Sequence, residues 1–262
     1  MDLGRPVLLQ GVPCDAPAYR ARLEAEQSGS CAWLGRVARG EEPLDWSVPT
    51  SLEAKVDAAG LFRPFAGDTV VFPLDPEGAG RCAELQERLT RGLEDLFAHP
   101  LDPGEFHLTL HDLSNGAPTP ALEVECRANE EACRGVFRQI RSGLEERPDL
   151  AEITMRPVRL FDCLNISVLL GMAPASQRDF RLLLNLYSLF DPVRALGYWL
   201  RPHVTLAYFR PRVPTPGEVR ELSRRLEALG PLPELRLSAW ELAYQRFEDM
   251  NRYQTRFTVR EA

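Results

Sequence analysis

Two short stretches of the chain carry residues whose types and spacing suit acid–base chemistry. The first is His107-Leu108-Thr109-Leu110-His111 and the second is His203-Val204-Thr205-Leu206-Ala207. Each reads His, apolar, Thr, Leu. Histidine holds or releases a proton near neutral pH, and a threonine hydroxyl can donate to an anionic oxygen. Successive side chains of a β-strand point to opposite faces. His and Thr therefore share one face, while Leu108, Leu110, Val204 and Leu206 take the other, towards a core. Two such strands facing each other across a cleft would present two imidazoles and two hydroxyls to one small ligand. One imidazole could take a proton from an attacking oxygen while the other, already protonated, gives one to a leaving oxygen. The hydroxyls could hold the phosphoryl oxygens in line. A metal-free phosphodiester cleavage needs this set of groups.

One His-x-Thr on a strand is common and carries little meaning. Two of the four histidines in the same pattern, at matching places of an internal repeat, carry much more. Four neighbours are further candidates for substrate contact. On a regular strand His111 shares the cleft face with His107 and Thr109; alternatively it sits at the strand end and caps a turn with Asp112. Tyr208 and Arg210 fall on the core face if alternation continues past Leu206. A core-side arginine is unfavourable, so the strand is expected to end or bulge there. Arg210, or Arg201 before the motif, then either reaches a substrate phosphate or lies solvated on the surface. Tyr208 is either a core residue or a site residue.

The elements that must position these groups recur in order. Thr69 to Leu74 is a β-branched, apolar strand. Leu85, Leu89, Leu93 and Leu96 mark a helix over about 80–97. The first His-x-Thr strand follows, over about 106–113. Leu122 to Cys126 alternates as a strand would, a helix spans about 130–145, and Ile153 to Cys163 is a strand region. The order then repeats: a strand over Ile166–Met172, a helix over 176–190, the second His-x-Thr strand over 202–209, a helix over 216–229 and a strand region from Leu235. Tyr253 to Val259 is a last strand. Such a repeat, with the motifs about a hundred residues apart, predicts two similar lobes related by a pseudo-two-fold axis. Residues 1–66 lie outside this plan and form an opening extension that packs on the core domain, 67–262. Short helices over 18–27 and 51–59 are its expected elements.

Composition bounds the possibilities. The chain has 262 residues, is 44% hydrophobic and 26% charged, and carries a net charge of -7. That acidity argues against a non-specific nucleic-acid coat but allows a local positive pocket for a small anion. Lys55 is the only lysine, so the basic residues are otherwise all arginine. Six cysteines form no C-x-x-C pair and no disulfide framework. No apolar run reaches transmembrane length, and the N-terminus lacks a signal-peptide pattern. The expectation is a cytoplasmic monomer with no membrane association, no obligate protein partner, no cofactor and no metal. The histidines and nearby acids show no ligand spacing of the H-E-x-x-H kind.

His107-Leu108-Thr109-Leu110 and His203-Val204-Thr205-Leu206 together resemble the paired motifs of the 2H phosphoesterase superfamily, which includes LigT-like RNA ligases and cyclic phosphodiesterases. The resemblance covers roughly residues 67–260. It implies a bilobal α+β fold with antiparallel sheets around a central cleft. It implies that His107 and His203 act as general base and general acid, and that Thr109 and Thr205 bind the phosphate. The substrates it implies are a 2′,3′-cyclic phosphate, a 2′-5′ linkage or a related small nucleotide or RNA phosphodiester, with an RNA ligase-like reverse reaction in reach. The alternative is a catalytically degenerate member that binds a nucleotide or RNA end without cleaving it.

Overall fold

The computed structural model describes residues 7–9 and 12–262; the remainder of the opening region, with the N-terminal residues read for a signal pattern, lies outside the described residues. Two four-stranded antiparallel sheets form the body of the molecule. The strands of the first half are β3 (Ala66–Pro73), β4 (His107–Gly116) and β5 (Glu152–Cys163). Those of the second are β6 (Ser167–Pro174), β7 (His203–Tyr208), β8 (Leu235–Ser238), β9 (Ala243–Asp249) and β10 (Arg252–Thr258). One sheet has the order β10-β9-β3-β4 and the other β7-β6-β5-β8. Each motif strand is thus an edge strand, and β3 and β6 hold equivalent places beside them.

The lobes are not contiguous halves of the chain. β5 follows the first motif in sequence but pairs with β6 and β8 of the second sheet. β9 follows the second motif but pairs with β3. The pseudo-two-fold relation holds between sheets whose third strands have been exchanged, which ties the two lobes together covalently and by packing.

The helices are α3 (Pro76–Thr90), α4 (Pro120–Glu146), α5 (Gln177–Ser188) and α6 (Pro216–Ala228). Three of them start on an acceptor side chain followed by proline. Asp75, Thr119 and Thr215 each accept a hydrogen bond from a first-turn N–H, as N-caps do. The expected strand at Leu122–Cys126 instead lies in the first two turns of α4, whose buried residues Cys126, Cys133, Phe137, Ile140 and Leu144 keep helical spacing. The alternation of this stretch matches no burial pattern: Val124 is 63% exposed, and the buried stripe of the helix begins at Cys126. α3 begins and ends several residues earlier than expected, because Asp75-Pro76 starts it and Gly92, at φ +77°, follows its end.

The opening region contains a short antiparallel pair, β1 (Val7–Leu9) and β2 (Val12–Cys14), then α1 (Ala16–Ala38) and a single turn, α2 (Thr50–Glu53). α1 is far longer than the expected helix over 18–27. It lies on β5, β6 and α6 and buries Tyr19, Leu23, Gln27, Cys31, Leu34 and Gly35. The approach is so close that a Cβ on Gly171 of β6 would fall 2.3 Å from Gln27 Oε1. A larger residue there would have to push the end of the Gln27 side chain aside. Tyr19, Leu23, Leu34, Leu52 and Val56 belong to the same hydrophobic cluster as Phe72, Leu108, Leu170 and Leu206. No helix among the described residues is long and apolar enough to cross a membrane.

Candidate active site

The two motif strands share an irregularity that decides which side chains face the cleft. In β4, Thr109 pairs with Val71 and His111 with Val70, so Leu110 is an extra residue in the ladder. In β7, Thr205 pairs with Leu169 and Ala207 with Val168, so Leu206 is extra in the same way. Each is a β-bulge one residue after the motif threonine, and a bulge resets the alternation. His107 and Thr109 face the cleft, Leu110 and His111 both turn to the core, and Asp112 faces the cleft again. His203, Thr205 and Tyr208 follow the same pattern, with Leu206 and Ala207 buried. A carbonyl at or next to each bulge accepts from a side chain. Gln86 of α3 donates to Leu206 O at 2.8 Å, and the Thr69 hydroxyl donates to His111 O at 3.2 Å.

All four motif residues line one cleft of about 270 Å³. Its walls also include Thr69 and Ser167, which pair with Asp112 and Tyr208 in the neighbouring strands. Tyr253 of β10 lies against the His107 ring, centroids 4.8 Å apart. Lys55, just after α2, reaches into the same space with Phe65 and Asp112.

The two imidazoles are oriented identically. His107 Nδ1 lies 2.7 Å from Glu105 O, and His203 Nδ1 lies 2.8 Å from Arg201 O. A carbonyl oxygen can only accept, so each Nδ1 carries the proton. Each Nε2 is then the atom that gains or loses a proton. Burial pushes His107 down to about 4, against the opposing pull of its Glu105 hydrogen bond. Burial also lowers His203, opposed by its hydrogen bond to Arg201 O and by the Asp112 carboxylate. Both rings are therefore mainly neutral at neutral pH. The Asp112 carboxylate favours the charged form of both rings against that burial.

The other candidates separate. Tyr208 is in the cleft, with its hydroxyl 3.2 Å from Met250 Sδ. His111 is not: it is buried against the rings of Tyr187 and Phe190, because the bulge turned it to the core. It neither contacts the cleft nor ends the strand, which continues to Gly116; its Nδ1 does lie 2.8 Å from Asp112 O. Arg210 donates to Phe97 O at 3.0 Å and lies 3.6 Å from Asp95, away from the cleft walls. Arg201 pairs with Glu26 at 2.7 Å, its guanidinium 5.2 Å from the Trp199 ring centroid. It borders a smaller apolar hollow that shares Thr109, Asp112 and His203 with the main cleft. Lys55, Thr69, Glu105, Ser167 and Tyr253 are among the cleft residues not foreseen, and Asp112 is foreseen only as a turn partner of His111. Asp112 and Tyr208 follow once a bulge is placed in each motif strand, and the solitary lysine was conspicuous in composition.

No family model matches the chain, and no curated protein does. Among solved structures, a conserved protein of unknown function from Agrobacterium tumefaciens, ATU0111, covers 86% of this chain and 98% of its own length, at 18% identity and a TM-score of 0.57. The two share a fold. Weaker matches include a phosphoesterase, at 18% identity over 73% of this chain and 95% of that one, TM-score 0.42. Escherichia coli LigT in its apo form matches at 15% identity over 74% and 95%, TM-score 0.39. No group of three or more His, Cys, Asp or Glu side chains placed to hold a metal ion occurs among the described residues.

Proposed function

We propose that the chain is a 2H-type phosphoesterase, a phosphodiesterase acting on a 2′,3′-cyclic phosphate, a 2′-5′ linkage or a related small nucleotide or RNA phosphodiester without a metal. The observation that carries this reading is the matched pair of imidazoles, each with Nδ1 tied to the carbonyl two residues earlier and Nε2 left for proton transfer. Each has a threonine two residues on, in the same cleft. The core residue His111 has its Nδ1 held in a similar way, and what sets His107 and His203 apart is that both rings open on the shared cleft.

His107, held neutral down to about pH 4, serves as the base that takes a proton from the attacking hydroxyl or water. His203, beside Asp112, carries the proton that the leaving oxygen receives. An anionic phosphoryl group in the cleft favours that imidazolium, so substrate binding and protonation support each other. The Thr109 and Thr205 hydroxyls donate to the non-bridging oxygens as negative charge grows on them. In the reverse reaction the two histidines exchange roles. Turnover of cyclic and 2′-5′ phosphodiesters by the wild type and by His107→Ala and His203→Ala tests the assignment; saturable binding with no turnover of any diester would move the chain to the binding class.

A further inference from the structure

We propose that Lys55, contributed by the opening region, is the substrate's anion contact: its ammonium takes the charged oxygens of the phosphoryl group held between the two motifs. This rests on the phosphodiesterase reading for the identity of the anion, and on the cleft alone for the existence of the anion site.

Among the described residues, the cleft lining offers one permanent cation. With both imidazoles neutral, the ionisable carboxyls on its walls are Asp112 and Glu105, and Lys55 is the only lysine or arginine among its described lining residues. Thr109 and Thr205 offer hydroxyl donors without charge. The arginines beside the second motif are engaged elsewhere, Arg201 with Glu26 and Arg210 with Phe97 O and Asp95.

Lys55 is also placed to receive a ligand. Its backbone is fixed: Lys55 N donates to Leu52 O at 2.9 Å, and Lys55 O accepts from Arg63 N at 2.8 Å. The fully buried Leu52 and Val56 anchor the turn on either side. The side chain runs between two rings, with Nζ 5.1 Å from the Phe65 centroid and 5.7 Å from that of Tyr208. Ring faces attract an ammonium but offer it no acceptor lone pair of the carboxylate kind. Among the described residues no carboxylate lies within 4.0 Å of it and no hydrogen bond satisfies it; Asp112 acts only from farther away. The ammonium therefore has no acceptor of its own among the described residues and remains open to the cleft. A phosphoryl oxygen supplies the missing partner, and an ammonium near developing charge in a poorly hydrated cleft stabilises a transition state more than a ground state.

The single lysine makes the test direct. Reductive methylation of the full chain with ¹³C-formaldehyde labels Lys55 and the N-terminal amine, and it leaves the positive charge in place. Inorganic phosphate is then titrated against the labelled protein while the Lys55 methyl signal is followed across pH. The expected result is a saturable shift of that signal and a rise in its titration midpoint. Alongside, Lys55→Met should weaken phosphate binding about 10-fold and lower kcat/KM by about 10²-fold, as loss of a charged donor at the reacting oxygens does. Lys55→Arg should recover part of both. A Lys55 signal that stays put while the histidine ring protons respond to phosphate would overturn the proposal, as would Lys55→Met turnover within twofold of wild type. Should Lys55→Met not fold, the signal in the wild-type chain still decides. Phosphate binding at Lys55 with no diester turned over by the wild type would refute the catalytic reading and keep the anion site. Wild-type turnover unaffected by Lys55→Met would do the reverse.

Discussion

Leu110 and Leu206 occupy the same position in two different strands: each is the extra residue of a bulge, directly after the motif threonine. The paired insertion sets the wall of the cleft. It sends Asp112 and Tyr208 into the site and His111 and Ala207 into the core. A regular ladder would have done the opposite with Asp112 and His111, placing a second neutral ring where the cleft has a carboxylate.

The placement of His111 yields the first prediction. Its ring is 1% exposed, and its Nε2 has no hydrogen-bond partner, with Asp191 Oδ1 at 3.8 Å. His111→Leu should leave kcat/KM within about twofold of wild type, because the side chain is outside the site. Burial lowers the His111 pKa, so the unfolded chain binds this proton first as pH falls below about 6.5. Below that pH the wild type should lose stability relative to His111→Leu, by up to about 1.4 kcal/mol per pH unit. Urea unfolding midpoints of the two proteins between about pH 5.5 and 7.5, one unit either side of a free histidine, read this directly.

The pH profile of the reaction follows from the two motif rings. The active form has His107 neutral and His203 protonated. Protonation of His107, near pH 4 in the free protein, ends activity on the acid side. Loss of the His203 proton, at a pH below its ordinary value, ends it on the alkaline side. A plot of kcat/KM against pH should therefore be bell-shaped with its maximum on the acid side of about 6.5. Asp112→Asn removes a carboxylate that raises His203, so the alkaline limb should move to lower pH. An alkaline limb unmoved in Asp112→Asn would remove Asp112 from this role.

Much of this was legible in the sequence, and the failures have causes. The motif pair, its strands and the helices α3, α5 and α6 follow from apolar periodicity that the core preserves. α1 was underread because its buried stripe is Tyr19, Leu23, Gln27, Cys31, Leu34 and Gly35, in which polar and small residues interrupt the apolar pattern. Its signal is the fit against Gly171 and β5, a tertiary fact. The exchange of β5 and β9 between sheets leaves no local mark either, since both read simply as strands. Bulges also change register without changing composition, so the strand is legible while the core-facing position of His111 and the cleft-facing position of Asp112 are not. Lys55 lies about fifty residues before the first motif, and only the folded chain brings it to the cleft.

The packing of α1 makes a prediction about stability. Leu23 is 0% exposed between the helix and the second sheet. Leu23→Ala should destabilise the whole chain by about 2–5 kcal/mol, the range for a large-to-small change in a core. Cooperative loss of both far-ultraviolet and tyrosine signals at a lowered midpoint is expected. Selective melting of α1 with the sheets intact would show instead that the helix is an independent appendage.

Activity in the presence of excess EDTA is a further expectation, since base, acid and oxyanion donors are all supplied by side chains of this cleft. Hydrolysis rates before and after chelation should agree; a loss reversed by adding back one divalent metal would require a metal-assisted mechanism.

The most direct test of the account is the rate of hydrolysis of a panel of 2′,3′-cyclic and 2′-5′ phosphodiesters by wild type, His107→Ala and His203→Ala, with folding monitored by circular dichroism. The expected result is turnover of at least one diester by the wild type, and a loss of about 10²–10⁴-fold in each variant, the contribution of a positioned acid or base, with the spectrum unchanged. Near wild-type turnover by either folded variant would contradict the two-histidine mechanism.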